Sequence, residues 1–261
     1  MVNESCLPKI MSQKSMPQLV EATCVLQFKG AEPKVRFMQQ QAEAAFFDLV
    51  KVQSHSTNAP DGADPNIPRI IFPAERKRIL ISQMDCQMGF SFQGQALSMQ
   101  ERFDIVEKNS VIFDSAARSK FDACGYGVSA IIFHVNQPAA GTIEDLSADL
   151  YSRLMSVSTE YPVASLQATV GYRVKDCFVT VTVGPFEERQ IDVKGLAPGV
   201  AHSIKVEDAR VVGQGVGLKI DVNNRPAFAE DKNPASISEL VSIGRAFFEQ
   251  HMSDFLGRVE S

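Results

Sequence analysis

The sequence predicts an α+β fold: antiparallel sheet with long amphipathic helices packed on one face. Three observations predict it. Segments 86–93, 165–174 and 216–222 alternate apolar and polar residues, the period of a strand with one buried and one wet face. Segments 98–121 and 236–256 carry apolar residues at spacings of three and four behind a capping box, the mark of a long amphipathic helix. The continuous apolar strands of a doubly wound parallel sheet are missing.

Taken in order, residues 1–18 are polar, contain Pro8 and Pro17 and lack a period, so they are expected to form a flexible N-terminal arm. The first strand is expected over 22–29, where Cys24, Leu26 and Phe28 alternate with Thr23 and Gln27. Pro33 opens a helix at a position proline tolerates, with Val35, Met38, Ala42, Ala45 or Phe46, and Leu49 on one stripe. Segment 53–68 contains Pro60, Pro65, Pro68 and Asp61-Gly62 and reads as a loop. A hairpin follows over 69–83 with the polar tip Glu75-Arg76-Lys77-Arg78. The next strand points Cys86, Met88, Phe90 and Phe92 to one face. Ser98 with Glu101 caps a helix expected to end near Cys124-Gly125.

The pattern then starts again. Residues 126–135 are rich in β-formers, and Thr142 caps a helix with Ile143, Leu146, Leu150 and Leu154 on its stripe. Segment 165–174 alternates strictly and turns at Lys175-Asp176 into a second strand over 177–183. Short strands are expected over 190–193 and 203–212, then a last alternating strand over 216–222, and Ser236 with Glu239 caps the final helix. The chain thus divides into an arm (1–18), a first half (19–124) and a second half (125–258). The halves run strand, helix, meander, long helix and are expected to associate tightly, sharing an interface or a continuous sheet.

Composition narrows the function. Hydrophobic residues make up 44% and charged residues 22% of the 261 positions, which is ordinary globular usage and excludes disorder or coiled coil for the whole chain. The net charge of -5 argues against a nucleic-acid coat, whose affinity comes from neutralising phosphates. Five scattered cysteines without a C-x-x-C pair fit reduced thiols in the cytoplasm, and no membrane span or secretion signal is expected. No P-loop, dinucleotide fingerprint, zinc motif or nucleophile elbow occurs, so no cofactor, metal or catalytic set is assigned. Gly213-Gln214-Gly215-Val216-Gly217 precedes a strand rather than a helix and reads as a hairpin turn with a strand glycine. His251, beside an apolar stripe, is expected to be partly buried and hydrogen-bonded.

Two surface features remain. Arg69, Arg76, Lys77 and Arg78 form the densest basic cluster, a candidate contact for a partner. Val170, Val181, Leu218 and Phe247 would line an apolar pocket between sheet and final helix, because segment 126–256 looks like a helix-grip protein.

The phrase Pro17-Gln18-Leu19-Val20-Glu21-Ala22-Thr23-Cys24-Val25-Leu26-Gln27-Phe28, the strand-helix-strand order of 86–135 and the acidic strand end Asp221-Val222-Asn223 before an aromatic-ended helix carry a resemblance. Over 17–256 the chain resembles a sporadically distributed, functionally uncharacterised bacterial family of similar length. Where that family carries a Leu-His pair in the last helix, this chain has Ala246-Phe247-Phe248. The resemblance supports the architecture and implies no catalytic residues. The expected function is a non-catalytic cytoplasmic binding or interaction protein of a bacterial or phage-related accessory system. A small hydrophobic-ligand carrier is the first alternative. An enzyme assembling a His and a carboxylate, with His134 or His251 in a cleft, is the second. Segment 165–174 is long, regular and free of proline, so a homodimer through that strand, helped by the arm, is expected.

Overall fold

The computed structural model describes residues 16–60, 62–121, 125–157, 160–190, 209–230 and 233–257. The N-terminal arm, apart from its last residues, and segment 191–208 lie outside the described residues. So do the strands expected at 191–193 and 203–208, together with Cys6, Cys124 and His202.

The first half contains β1 (Gln18–Phe28), α1 (Gln39–Val50), β2 (His55–Ser56), β3 (Ile70–Phe72), β4 (Lys77–Ile81), β5 (Asp85–Ser91) and α2 (Met99–Lys120). The second contains β6 (Tyr126–Pro138), α3 (Ile143–Leu154), β7 (Ala168–Val174), β8 (Cys177–Gln190), β9 (Arg210–Asn223), α4 (Arg225–Ala229) and α5 (Ile237–Leu256). The described strands form one nine-stranded sheet in the order β2-β3-β4-β5-β1-β6-β9-β8-β7, antiparallel at every described pairing. The meander β3-β4-β5 followed by β1 mirrors β7-β8-β9 followed by β6, and the two series meet at the β1–β6 pair.

Alternation decides which face is covered. Cys24, Leu26, Met88, Phe90, Ile131, Phe133, Val181 and Ile220 point to one side and are buried there. α1, α2 and α5 lie on that side. Phe46 packs on Phe113 (5.3 Å) and Phe121 (5.8 Å), and Phe103 packs on Phe133 (5.2 Å) and Phe248 (5.6 Å), so the aromatic core crosses from one half into the other. Arg245 Nη1 reaches Asp104 (2.9 Å) and the Ser238 hydroxyl donates to Glu107 (2.9 Å), which ties α5 to α2. The α+β fold with helices on one face of antiparallel sheet is the predicted one. The opposite face of the sheet is half-buried to exposed.

Local chemistry sets the boundaries. Ser98, Thr142 and Ser236 each accept the N3 backbone N–H, while Glu101, Asp145 and Glu239 accept the cap's own N–H, so all three helices start with a full capping box. α2 stops at Lys120, earlier than its apolar stripe suggests: Phe121 leaves the helical backbone conformation as the C-cap and is buried against Phe28 and Phe46. The helix expected from Pro33 begins as a single 3₁₀ turn over Val35–Met38. The glycine-rich run 213–217 is not a hairpin turn: it lies inside β9, which continues unbroken from Arg210. Gly215 is required there, because a Cβ would stand 2.1 Å from the Gln137 carbonyl oxygen on β6.

Candidate functional site

The uncovered face of the sheet is built in rows, since directly paired residues across antiparallel strands share a face. One row runs Thr169, Thr182, Lys219, His134, Glu21 and Ser91 from β7 to β5. The next runs Gly171, Thr180, Asp221, Ile132, Thr23, Gly89 and Arg78. Beside the first row, towards the C-terminal end of β6, stand Gly184, Gly217 and Asn136. Two glycines facing each other on neighbouring strands remove two side chains from one spot and leave backbone as a floor. The result is a cleft of about 610 Å³. His134, Asn136, Thr182 and Lys219 edge it on the sheet, and Phe186, Ile143 and Leu166 give it an apolar rim.

Segment 165–167, expected as the start of a strand, instead passes over the sheet beside Gly184, and a Cβ at Gly184 would sit 3.1 Å from the Leu166 carbonyl oxygen. At Gly217 the nearest atoms to such a Cβ are at 3.6 Å, so that glycine keeps the cleft open without being forced by its neighbours. Thr182 and Thr169 share a hydroxyl hydrogen bond of 3.0 Å along one side.

The electrostatics centre on His134. Partial burial lowers its pKa, the Glu21 carboxylate opposite raises it, and the Lys219 ammonium on the other side lowers it. Its neutral form is favoured, which leaves Lys219 as the cation at the rim. A cleft with one ammonium, amide and hydroxyl groups, a bare backbone floor and an aromatic wall can hold an anionic group attached to a small apolar body. Among the described residues, no group of three or more His, Cys, Asp or Glu side chains could hold a metal ion. Cys24, Cys86 and Cys177 are buried, and burial raises each thiol pKa, so none presents a ready thiolate.

The structure disperses the basic cluster. Arg69 is 1% exposed, and its guanidinium donates to the carbonyls of Ile67 (2.7 Å), Pro60, Ala63 and Asp64, so it organises the loop before β3 and is not a surface contact. Lys77 turns to the helical face and donates to the Leu49 carbonyl (3.0 Å) at the end of α1. Arg78 lies over Gly89 on the open face, and with Arg76 it lines a separate, smaller groove that also holds Glu21 and Glu75. Alternation explains the split: neighbours on a strand face opposite ways.

The four residues expected to line a pocket behave differently from one another. Val181 (0%), Leu218 (2%) and Phe247 (8%) belong to the packed core between sheet and helices, whereas Val170 is 40% exposed on β7. α5 presses close to the sheet here, since a Cβ at Gly244 would stand 2.4 Å from the Phe133 ring. His251 is exposed rather than partly buried; the hydrogen bond expected of it runs to Asp254 (3.4 Å), and its ring lies tilted against Phe247 at 4.8 Å between centroids. The cleft on the other face escaped the sequence reading. Its signal was Gly184 and Gly217 interrupting otherwise alternating strands, but only the register shows that they face each other.

No protein-family profile, no curated protein and no solved structure matches the chain. No described helix is long and apolar enough to cross a membrane.

Proposed function

We propose that the chain is a non-catalytic cytoplasmic binding protein that receives an anionic ligand with a short apolar body on the uncovered face of its sheet. The observation that carries this reading is the cleft over the facing glycines Gly184 and Gly217, with Lys219 at its rim and Phe186 in its wall. Cys24, Cys86 and Cys177 stand as free thiols, in keeping with a reducing compartment. A ligand on this face replaces the apolar carrier pocket expected beneath α5, where Val181, Leu218 and Phe247 are packed.

The test uses 8-anilinonaphthalene-1-sulfonate, an anion with an apolar ring system, as the probe. The folded wild-type chain is expected to bind it saturably. Gly217→Val fills the floor where there is room for a Cβ, and Lys219→Glu reverses the rim charge. Each is expected to weaken binding about tenfold or more, with the melting temperature retained. Unchanged dye binding in both variants sinks the reading.

A second reading, an enzyme, is favoured by one observation: His134 at the cleft edge stands directly opposite Glu21 in register. It requires that His134→Gln abolish turnover of a ligand identified by the binding test while leaving its affinity intact.

A further inference from the structure

We infer that β7 is a dimerisation edge, pairing antiparallel with β7 of a second copy so that Gly171 lies opposite the partner's Gly171 on the two-fold axis. β7 is the terminal strand of the sheet, and among the described residues nothing pairs with its outer side. β7 and β8 are joined by the two-residue turn Lys175-Asp176, with Val174 paired to Cys177. In such a hairpin the flanking pair exchanges hydrogen bonds, and alternation then turns the N–H and C=O groups of Thr169, Gly171 and Arg173 away from β8. Centring the pair on Gly171 sets Thr169 against the partner's Arg173, so every outward group on the strand meets its complement.

Side chains fit the same register. Val170 falls opposite the partner's Tyr172 on the helical face, a β-branched and aromatic pair of the kind that stabilises cross-strand contacts. These residues are 40% and 36% exposed in the single chain. Arg173 meets a threonine rather than a like charge, and it is already engaged by Glu230. At Gly171 a Cβ would have no neighbour within 4 Å, so a side chain can be placed there on the open face without disturbing the rest of the chain.

The strand also lacks the devices that protect an edge: it has no proline, no bulge, and one charge, which faces away from the core. The apolar exposure continues into the segment leading to it, at Met155 (46%), Val157 (65%) and Tyr161 (81%). The opposite edge of the sheet is β2, only two residues long and followed by the proline-rich loop that Arg69 organises. With one long open edge among the described strands, self-pairing gives a closed pair rather than a fibre.

Sedimentation equilibrium of the full chain at micromolar concentration tests this. A dimer is expected. Gly171→Pro deletes an outward N–H without touching the β7–β8 bonds, and Val170→Lys places a charge against the partner's Tyr172. Each is expected to raise the dissociation constant about 30-fold or more at unchanged far-UV circular dichroism. Gly171→Cys is expected to give a covalent dimer under mild oxidation, because hydrogen-bonded pairs bring their Cα atoms to about 5.5 Å. A monomeric wild-type chain, including one that instead captures an extended peptide on β7, overturns the inference. So does a dimer that survives both Gly171→Pro and Val170→Lys undiminished.

Discussion

Three glycines in the sheet and its covering helix do different jobs, and each can be tested separately. Gly215 permits two backbones to touch, and Gly244 lets α5 approach the sheet closely at Phe133. Gly217 has no such constraint and shapes the cleft. Gly215→Ala and Gly244→Ala are therefore expected to destabilise the fold by about 2 kcal/mol or more through overpacking, whereas Gly217→Ala is expected to cost less than about 1 kcal/mol. Denaturant midpoints of the three variants check this; a Gly217→Ala variant as unstable as Gly215→Ala would remove the distinction. Phe90, 3% exposed on the helical face of β5, was legible from alternation alone, and Phe90→Ala is expected to cost about 3–5 kcal/mol. Arg69 was not legible. A buried guanidinium bonded to loop carbonyls has the same sequence signature as a surface cation, and its burial depends on how the loop folds back.

At the scale of elements, the capping boxes gave the sharpest reading. Ser98 and Ser236 mark helix starts because the chemistry is local: a hydroxyl, a carboxylate three residues on, and the N–H groups between them. Ser98→Ala is expected to cost about 1 kcal/mol, read from the denaturant midpoint. The same contacts give a pH dependence. Bonds from the Ser98 backbone and hydroxyl hold Glu101 below its usual value of 4.5, and Glu239 and Asp145 are lowered by the same kind of cap. A carboxylate with a lowered folded pKa stabilises the fold above its unfolded pKa and loses that effect as pH falls through the folded value. Stability is expected to decline from about pH 5 downward, with a shallower decline in Glu101→Gln; identical slopes in the two proteins would remove the cap from the explanation. Strand ends were harder to read. β1 and β8 extend beyond their alternating cores because neighbouring strands supply pairing that the segment itself does not announce.

For the whole molecule, the class and the order of elements followed from periodicity, while the side of the sheet that carries the cleft did not. Alternation says that two faces exist and which is apolar. It does not say which strands are neighbours, and so it could not bring Gly184 to Gly217, or His134 between Glu21 and Lys219. The aromatic contacts of Phe103 with Phe133 and Phe248 make the two halves share one core. The chain is accordingly expected to unfold in one cooperative step, with coincident transitions in far-UV circular dichroism and tyrosine absorbance. Two separated transitions would show that the halves melt independently.

The central β1–β6 pair has a consequence for how the protein is made. β1 is made before the other described strands, yet its second neighbour, β6, is translated only after the whole first meander and α2. β6 in turn waits for β9, the last of the described strands, which inserts between β6 and the earlier-made β8. The growing polypeptide therefore leaves one side of β1 bare until β6 is made, and then one side of β6 bare until β9 follows. Such long-range closures are slow, and an unpaired edge is prone to aggregate. The nascent chain is the stage at which this architecture is most exposed to mispairing, and slowing translation ahead of β9 should lower its soluble yield.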